Sequence, residues 1–168
     1  MEKLLNKAKD IKIIFFDIDD TLRVKDTGFM PASLTHIFEM LHQKGILTGI
    51  ATGRNLCGVV PEIKALHPDF FVTANGAYVI DKSDQVIYKQ SLPQKVVLDI
   101  VEWLTTSSAE YVVYGADQVV ASAWSDTMQS AIEPIYGQLP IDPDYHLTHN
   151  IYQMVTMSEH DDQLILPE

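Results

Sequence analysis

Short apolar runs alternate with stretches of helical periodicity along the first half of the chain. Residues 13–16 read Ile-Ile-Phe-Phe, and an apolar run without alternation favours a strand buried on both faces. Residues 31–44 carry apolar side chains on one helical face, bounded by a proline and a glycine. Further strands are predicted over 46–51 and 70–73. Strand, helix and strand in this order predict a βαβ unit with parallel strands.

From about residue 85 onward the pattern changes to short strands and separate helices. The predicted elements are a strand over 85–90, a helix over 93–105, strands over 110–114 and 118–122 joined by a turn, a helix over 125–136, a Pro- and Asp-containing connection over 137–149, a strand over 151–157, and the beginning of a helix over 158–168. A helix packed against an antiparallel sheet is an α+β layer, distinct from the parallel part before it.

Three carboxylates, Asp17, Asp19 and Asp20, directly follow the first strand. Carboxylates this close repel one another unless a cation lies among them, and Mg²⁺ prefers such oxygen ligands. Asp17 and Asp19 are two residues apart in an extended segment, so we expect them to converge on one substrate. For Asp20 alone, a role in the turn or as a helix cap is the simpler interpretation. Crowding is expected to raise the pKa of Asp19, as a general acid requires.

Polar residues also follow the second and third strands. Parallel strands end at the same edge of a sheet, where open α/β sheets bind their ligands. The hydroxyl of Thr52 and the backbone N–H of Gly53 should therefore lie near Asp17, where they can hold a phosphate oxygen. Thr52 can also cap a helix that begins near Asn55, and the two roles are compatible. Asn75 follows the third strand and brings a third polar group to this edge.

Two of these segments resemble known motifs. Asp17-Ile18-Asp19-Asp20-Thr21-Leu22 resembles the first motif of the haloacid dehalogenase-like hydrolase superfamily, and Ile50-Ala51-Thr52-Gly53-Arg54 resembles its second. With Asn75-Gly76-Ala77 after the third strand, the pattern resembles the Cof-type sugar-phosphate phosphatase branch of this superfamily. The resemblance implies an α/β fold, namely a Rossmann-like parallel-sheet core, of which this chain holds the N-terminal half, with an inserted α+β cap domain. It places the core part in residues 1–82 and the cap in residues 83–168.

The resemblance also implies an activity. It implies an Mg²⁺-dependent phosphatase that hydrolyses a small, sugar phosphate-like metabolite through an aspartyl-phosphate intermediate. Asp17 would attack phosphorus, and Asp19 would protonate the leaving group and then activate water. Thr52 would bind the phosphoryl group, and with Gly53 and Asn75 it makes up the expected substrate-binding set. Mg²⁺ would be held by the Asp17 side chain and the Asp19 backbone carbonyl.

The chain departs from the family pattern in its second half. A lysine on a later core strand and a Gly-Asp stretch that supplies another metal carboxylate have no counterpart after residue 80. We therefore expect a chain truncated within the cap, inactive by itself, and able to self-associate through its incomplete core. The alternative is a non-catalytic binding or regulatory module that keeps the fold. A phospho-acceptor signalling domain is a weaker alternative, because it needs an aspartate where Asn75 stands.

Composition narrows the setting. A formal net charge of -11, with only 12 Lys and Arg, argues against nucleic acid as a partner, because phosphate backbones are bound by basic patches. The sequence shows no apolar run of about 18 residues and no charged-then-apolar leader, so we expect no membrane association. The lone Cys57 agrees with a reducing compartment. Together these features predict a cytoplasmic protein.

Overall fold

A computed structural model describes residues 10–157, which form two compact units. The first unit comprises the described residues up to Arg54 together with residues 59–89. The second comprises residues 55–58 and the described residues from Gln90 onward. No helix in the described part of the chain has the length and apolar character needed to cross a membrane.

The first unit is built on a five-stranded sheet. Its elements are β1 (Ile13–Phe16), α1 (Ser33–Gln43), β2 (Leu47–Ala51), α2 (Pro61–Lys64), β3 (Phe70–Thr73), β4 (Tyr78–Asp81) and β5 (Val86–Lys89). The strands lie in the order β1-β2-β3-β4-β5. The first three are parallel, and β4 and β5 are antiparallel to their neighbours. The βαβ unit predicted from the sequence is therefore confirmed.

The boundary between the units lies after the hairpin of β4 and β5. The sequence placed this boundary after residue 82, whereas the contacts within the structure place it after Lys89. Strand β4 was not predicted, and β5 was assigned to the second half of the chain. Because β4 pairs with β3 along its whole length, from Phe70 opposite Asp81 to Thr73 opposite Tyr78, the hairpin extends the first sheet.

Strand β1 is exposed on one face, so the prediction of a strand buried on both faces is wrong. Phe15 is 47% exposed and Leu47 on β2 is 43% exposed. Among the described residues β1 pairs with β2 alone, so it forms an edge of the sheet. The opposite face is covered by α1, whose Phe38 contacts Phe16 with ring centroids 5.1 Å apart. An apolar run indicates a strand, but it does not indicate which elements pack beside that strand.

A buried carboxylate, Asp69, connects the amino ends of the parallel strands. Its Oδ2 accepts a hydrogen bond from the Thr48 backbone N–H at 3.0 Å and lies 3.3 Å from Nε2 of His42 on α1. Its Oδ1 accepts from the Lys82 ammonium at 3.0 Å. Burial favours the neutral carboxyl, but the Thr48 hydrogen bond and the Lys82 ammonium prevail and hold the pKa of Asp69 below its usual value. Asp69 thus links α1, β2 and the residue after β4.

The second unit is a three-stranded antiparallel sheet between helices. Its elements are α3 (Gln94–Thr106), β6 (Glu110–Tyr114), β7 (Val119–Ala121), α4 (Asp126–Tyr136), α5 (Tyr145–Thr148) and β8 (Gln153–Met157). The strand order is β7-β6-β8. The strands and helices predicted between residues 93 and 157 are all present, and α5 is a short helix within the predicted connection. The predicted beginning of a helix over 158–168 lies outside the described residues.

The core of this unit follows the period of two along β6. Tyr111 and Val113 pack with Val97 and Leu104 of α3 on one face of the sheet. Val112 and Tyr114 pack with residues of α4 on the other face. Because successive strand residues point to opposite faces, one short strand supplies both layers of the core. Residues 55–58 group with this unit, since the Asn55 backbone N–H donates to the Tyr136 hydroxyl at 3.3 Å.

Candidate active site

The carboxyl ends of β1, β2 and β3 border an open pocket in the first unit. Its volume is about 380 Å³, and its lining includes Asp17, Thr52, Gly53, Asn75 and Gly76. Each of the three strands thus delivers at least one polar residue to the same cavity. Four of the five site residues predicted from the sequence are brought together here. The fifth, Asp19, is not among the described residues that line the pocket.

Hydrogen bonds join the loop after β2 to the loop after β3. The Asn75 backbone N–H donates to the Thr52 carbonyl at 3.2 Å, and the Ala74 N–H donates to the Arg54 carbonyl at 2.8 Å. The hydroxyl oxygen of Thr52 accepts the Arg54 N–H at 3.2 Å. This bond closes a turn within the loop; a 3₁₀ turn over Leu56–Gly58 stands where a helix near Asn55 was expected. The predicted capping role of Thr52 is therefore replaced by a turn.

The loop after β3 holds an unusual backbone conformation. Ala74, Asn75 and Gly76 have φ of 48°, 54° and 93°. Positive φ is uncommon for residues with a Cβ, because the Cβ approaches the following carbonyl, and it costs roughly 1–2 kcal/mol per residue. Strained residues of this kind cluster at binding and catalytic sites. The conformation directs the loop into contact with Gly53, where a Cβ would lie 3.1 Å from Oδ1 of Asn75.

Asp19 forms a two-point ion pair with Arg54. The Arg54 Nε donates to Oδ2 at 2.9 Å and Nη2 donates to Oδ1 at 2.7 Å. The side chain of Arg54 is 6% exposed and that of Asp19 is 28% exposed. Sequence reasoning missed this contact, although Arg54 lies within the segment that resembles the second motif. The pair joins residues 35 positions apart, and no local pattern indicates it.

This ion pair overturns the expected pKa of Asp19. The hydrogen bond from Arg54 lowers the pKa of Asp19 below its usual value; partial burial acts in the opposite direction, and the positive charges of Arg54, Lys25 and Arg23 add to the lowering. Crowding by neighbouring carboxylates was expected to raise it. The nearest strong influence is a guanidinium, and an opposite charge in contact stabilises the ionised form. Asp19 is therefore an anion in this arrangement.

Asp20 serves the turn, as the sequence indicated for this residue alone. Its Oδ1 accepts the Lys25 backbone N–H at 3.0 Å, and its own φ is 58°. Among residues 10–157 no group of three or more His, Cys, Asp or Glu side chains is placed to hold a metal ion. The three carboxylates after β1 thus diverge into three settings: Asp17 at the pocket, Asp19 on Arg54, and Asp20 in the turn. The three side chains therefore do not form one cluster, and the expected ligand pair for Mg²⁺, the Asp17 side chain and the Asp19 backbone carbonyl, stays a prediction.

Comparison with known proteins identifies the family. The pattern of the haloacid dehalogenase-like hydrolases matches residues 14–165, nearly the whole chain. This chain belongs to the haloacid dehalogenase-like hydrolase family. The resemblance found in the sequence is confirmed, and with it the expected α/β fold of Rossmann type.

Individual relatives agree with this assignment. "Putative bifunctional phosphatase/peptidyl-prolyl cis-trans isomerase" of Streptococcus pyogenes serotype M6 is 46% identical over 165 residues, which are 98% of this chain and 35% of that protein. A hypothetical protein of Geobacillus kaustophilus HTA426 has a TM-score of 0.79 at 30% identity, with 90% of this chain and 60% of that one covered. The chain therefore spans about a third of the first relative and 60% of the second.

A further solved structure shows the same fold. The subclass IIB sugar phosphatase BT4131 has a TM-score of 0.74 at 24% identity, with 86% of this chain and 58% of that one covered. Both units of this haloacid dehalogenase-like chain therefore fall within a fold that solved members of the superfamily share.

Proposed function

We propose that this chain carries the nucleophile, the acid-base group and the phosphate-binding loops of a phosphatase that acts through an aspartyl-phosphate. One observation carries the proposal: Asp17, Thr52, Gly53 and Asn75 line one pocket at the carboxyl ends of three parallel strands. A carboxylate is a recognised nucleophile toward phosphorus, and an acyl phosphate divides one difficult displacement into two easier ones. Family membership and the names of the relatives support the same reaction class.

In the first half-reaction an Asp17 oxygen attacks phosphorus, and the bond from phosphorus to the leaving oxygen breaks. Asp19 gives its proton to that oxygen. The hydroxyl of Thr52 and the backbone N–H of Gly53 donate to phosphoryl oxygens, and the Asn75 side chain contacts the substrate. In the second half-reaction Asp19 takes a proton from water, the water oxygen attacks phosphorus, and phosphate leaves with the Asp17 carboxylate restored. Positioning and charge stabilisation supply most of the rate enhancement in phosphoryl transfer.

The Arg54 contact bears on how Asp19 performs two roles. With both oxygens bound to the guanidinium, Asp19 is ionised and is prepared to act as the base of the second half-reaction. The acid role requires a proton on one oxygen, which weakens one arm of the ion pair. The proposal therefore includes an exchange between an ionised Asp19 and a protonated Asp19 that contacts the leaving oxygen while Arg54 still holds the carboxyl group.

We also propose that Mg²⁺ is the cofactor. The Asp17 carboxylate and the Asp19 carbonyl are hard oxygen donors, and Mg²⁺ commonly takes only one or two carboxylates, with water and substrate phosphate as its other ligands. The donor set fits this mode of binding, and the divergence of Asp19 and Asp20 excludes a site with three carboxylates among the described residues. When bound, Mg²⁺ supplies charge neutralisation for the transferring phosphoryl group.

The proposed substrate is a small phosphorylated metabolite of the sugar-phosphate type. The support is the likeness to BT4131, a sugar phosphatase, and a pocket volume suited to a small molecule. We propose a core part and a cap, expected from the sequence as residues 1–82 and 83–168, with their boundary after Lys89, where the contacts within the structure divide the two units. The pocket offers no lysine and no second carboxylate among the described residues, so we propose that residues 1–168 by themselves do not turn over substrate.

A non-catalytic binding or regulatory module is the second candidate, and the same gap in the pocket favours it. One experiment separates the two. The full-length protein is assayed with p-nitrophenyl phosphate and a panel of sugar phosphates, with Mg²⁺ and with a chelator, beside Asp17→Asn. Turnover that needs the metal and disappears in Asp17→Asn supports the phosphatase. Substrate binding without turnover in the unsubstituted protein supports the module.

A further inference from the structure

The guanidinium of Arg54 donates a hydrogen bond to each oxygen of the Asp19 carboxylate. Nε donates to one oxygen and Nη2 to the other, at 2.9 and 2.7 Å. The terminal torsion of an aspartate is broad, so a single contact leaves the plane of the carboxylate free to turn. Two parallel hydrogen bonds from a planar fork fix that plane, and a lysine cannot reproduce this geometry.

Arg54 is itself held by the loops that shape the pocket. Its backbone N–H donates to the Thr52 hydroxyl, and its carbonyl accepts from Ala74. Its side chain is 6% exposed and reaches from the loop after β2 to the loop after β1. The position of the fork is therefore tied to the same two loops that contribute Thr52 and Asn75 to the pocket.

We propose that Arg54 is a positioning residue that directs the carboxylate of Asp19 toward the leaving-group oxygen. The inference rests on the proposed function and adds to it a residue outside the predicted site. Each oxygen of Asp19 that accepts from Arg54 keeps a second lone pair, so the fork sets the direction of the carboxylate without blocking it. Misplacing a reacting group by about 1 Å can cost on the order of 10²-fold in rate.

This role predicts a dependence on the leaving group. An alkoxide or an unsubstituted phenoxide needs a proton as it departs, whereas p-nitrophenoxide leaves readily without one. Loss of the fork should therefore slow poor leaving groups more than good ones. A merely structural role for Arg54 would reduce the rates of all substrates by the same factor.

The test compares kcat/KM of Arg54→Lys with that of the unsubstituted full-length protein. The substrates are p-nitrophenyl, phenyl and p-methoxyphenyl phosphate, which have similar size and different leaving groups. We expect losses on the order of 10- to 100-fold for the two poor leaving groups and less than about 3-fold for p-nitrophenyl phosphate. Lys82→Gln, which removes another cation from a carboxylate of the same unit, is the matched control and should change none of the three.

A double variant provides a second test of the inference. If Arg54 acts through Asp19, Arg54→Lys combined with Asp19→Asn should be no slower than Asp19→Asn alone. Equal losses for all three substrates, a faster Arg54→Lys, or additive losses in the double variant would overturn the inference and leave the phosphatase proposal intact. Absence of turnover in the unsubstituted protein would remove the phosphatase proposal and this inference with it. Should Arg54→Lys fail to fold by circular dichroism, Arg54→Gln gives the same ratios.

Discussion

The amide oxygen of Asn75 lies so close to Gly53 that a Cβ at residue 53 would come within 3.1 Å of it. The two residues belong to different loops, and both line the candidate pocket. Lack of space for a Cβ explains why residue 53 is a glycine, since its backbone does not have positive φ. The contact also connects a residue expected to bind phosphate with one expected to bind the rest of the substrate.

In the full-length protein, Gly53→Ala should therefore impair function more than stability. The new methyl group displaces the Asn75 side chain by a few tenths of an ångström, and we expect KM for p-nitrophenyl phosphate to rise by about 3- to 10-fold, roughly 1 kcal/mol of binding. Gly45→Ala is the matched control, because Gly45 has φ of 70° and nothing within 4 Å of its Cβ position. That control should lose about 1 kcal/mol of unfolding free energy and keep its KM. The opposite pattern in the two variants would contradict the proposed role of the Gly53 and Asn75 contact.

In the full-length protein, Asp19→Asn should slow turnover and weaken the fold slightly. Proton transfer contributes on the order of 10²- to 10⁴-fold in rate, so kcat should fall by that factor. Aspartyl-phosphate should accumulate, visible as added mass on Asp17 after an acid quench. Because Asp19 is partly exposed, losing its charge opposite Arg54 should cost only about 1 kcal/mol in unfolding free energy. A variant that matches the unsubstituted rate across the pH profile would exclude an acid-base role.

The contribution of Asp69 to stability should disappear in acid. Its pKa in the folded state is lower than its usual value, so its stabilising effect is fully present above the unfolded pKa and is lost as pH falls through the folded pKa. We expect Asp69→Asn to be less stable than its parent by a constant amount from about pH 7 to about pH 5, with the difference shrinking below about pH 4. Urea unfolding of both proteins, repeated in a His42→Gln background, separates the effect of Asp69 from that of the neighbouring imidazole. A difference that grows toward low pH would contradict this explanation.

Residues 1–168, prepared alone, should bind Mg²⁺ and inorganic phosphate weakly and turn over no substrate. Only one carboxylate lines the described pocket, and Mg²⁺ with few protein ligands remains held mainly by water. Titration calorimetry with MgCl₂ and phosphate measures the binding, and p-nitrophenyl phosphate reports turnover. Metal-dependent turnover that disappears in Asp17→Asn of the same fragment would show that these residues already contain a complete site.

The sequence predicts those parts of this fold that depend on local pattern. Residues 70–73 and 110–114 are strands with the predicted bounds, because each is a compact run of apolar and β-branched side chains. The short strand β4 was missed, since it lies between a turn at Gly76 and a turn that begins at Lys82. The apolar run over 13–16 indicated burial on both faces, whereas the expected incomplete core implied an exposed face, and Phe15 is 47% exposed. Burial depends on which elements pack against a strand, and the strand's own residues do not encode this.

The candidate site likewise has one part that the sequence predicts and one part that it does not. The convergence of Asp17, Thr52, Gly53 and Asn75 followed from one rule, that parallel strands end at a common edge. The state of Asp19 did not follow, because its controlling partner Arg54 comes from a distant segment of the chain. Repulsion from the neighbouring carboxylates was expected to raise the pKa of Asp19, but the contact with the Arg54 guanidinium lowers it.

The edge position of β1 has a consequence for amide hydrogen exchange. Along a strand with a single described neighbour, alternate backbone N–H groups point away from that neighbour, so protection over residues 13–16 should alternate between slow and fast exchange. Pairing with a second copy through this edge would slow the fast positions and make protection continuous at high protein concentration. Exchange measured against dilution would therefore report self-association residue by residue, at the strand that ends on Asp17.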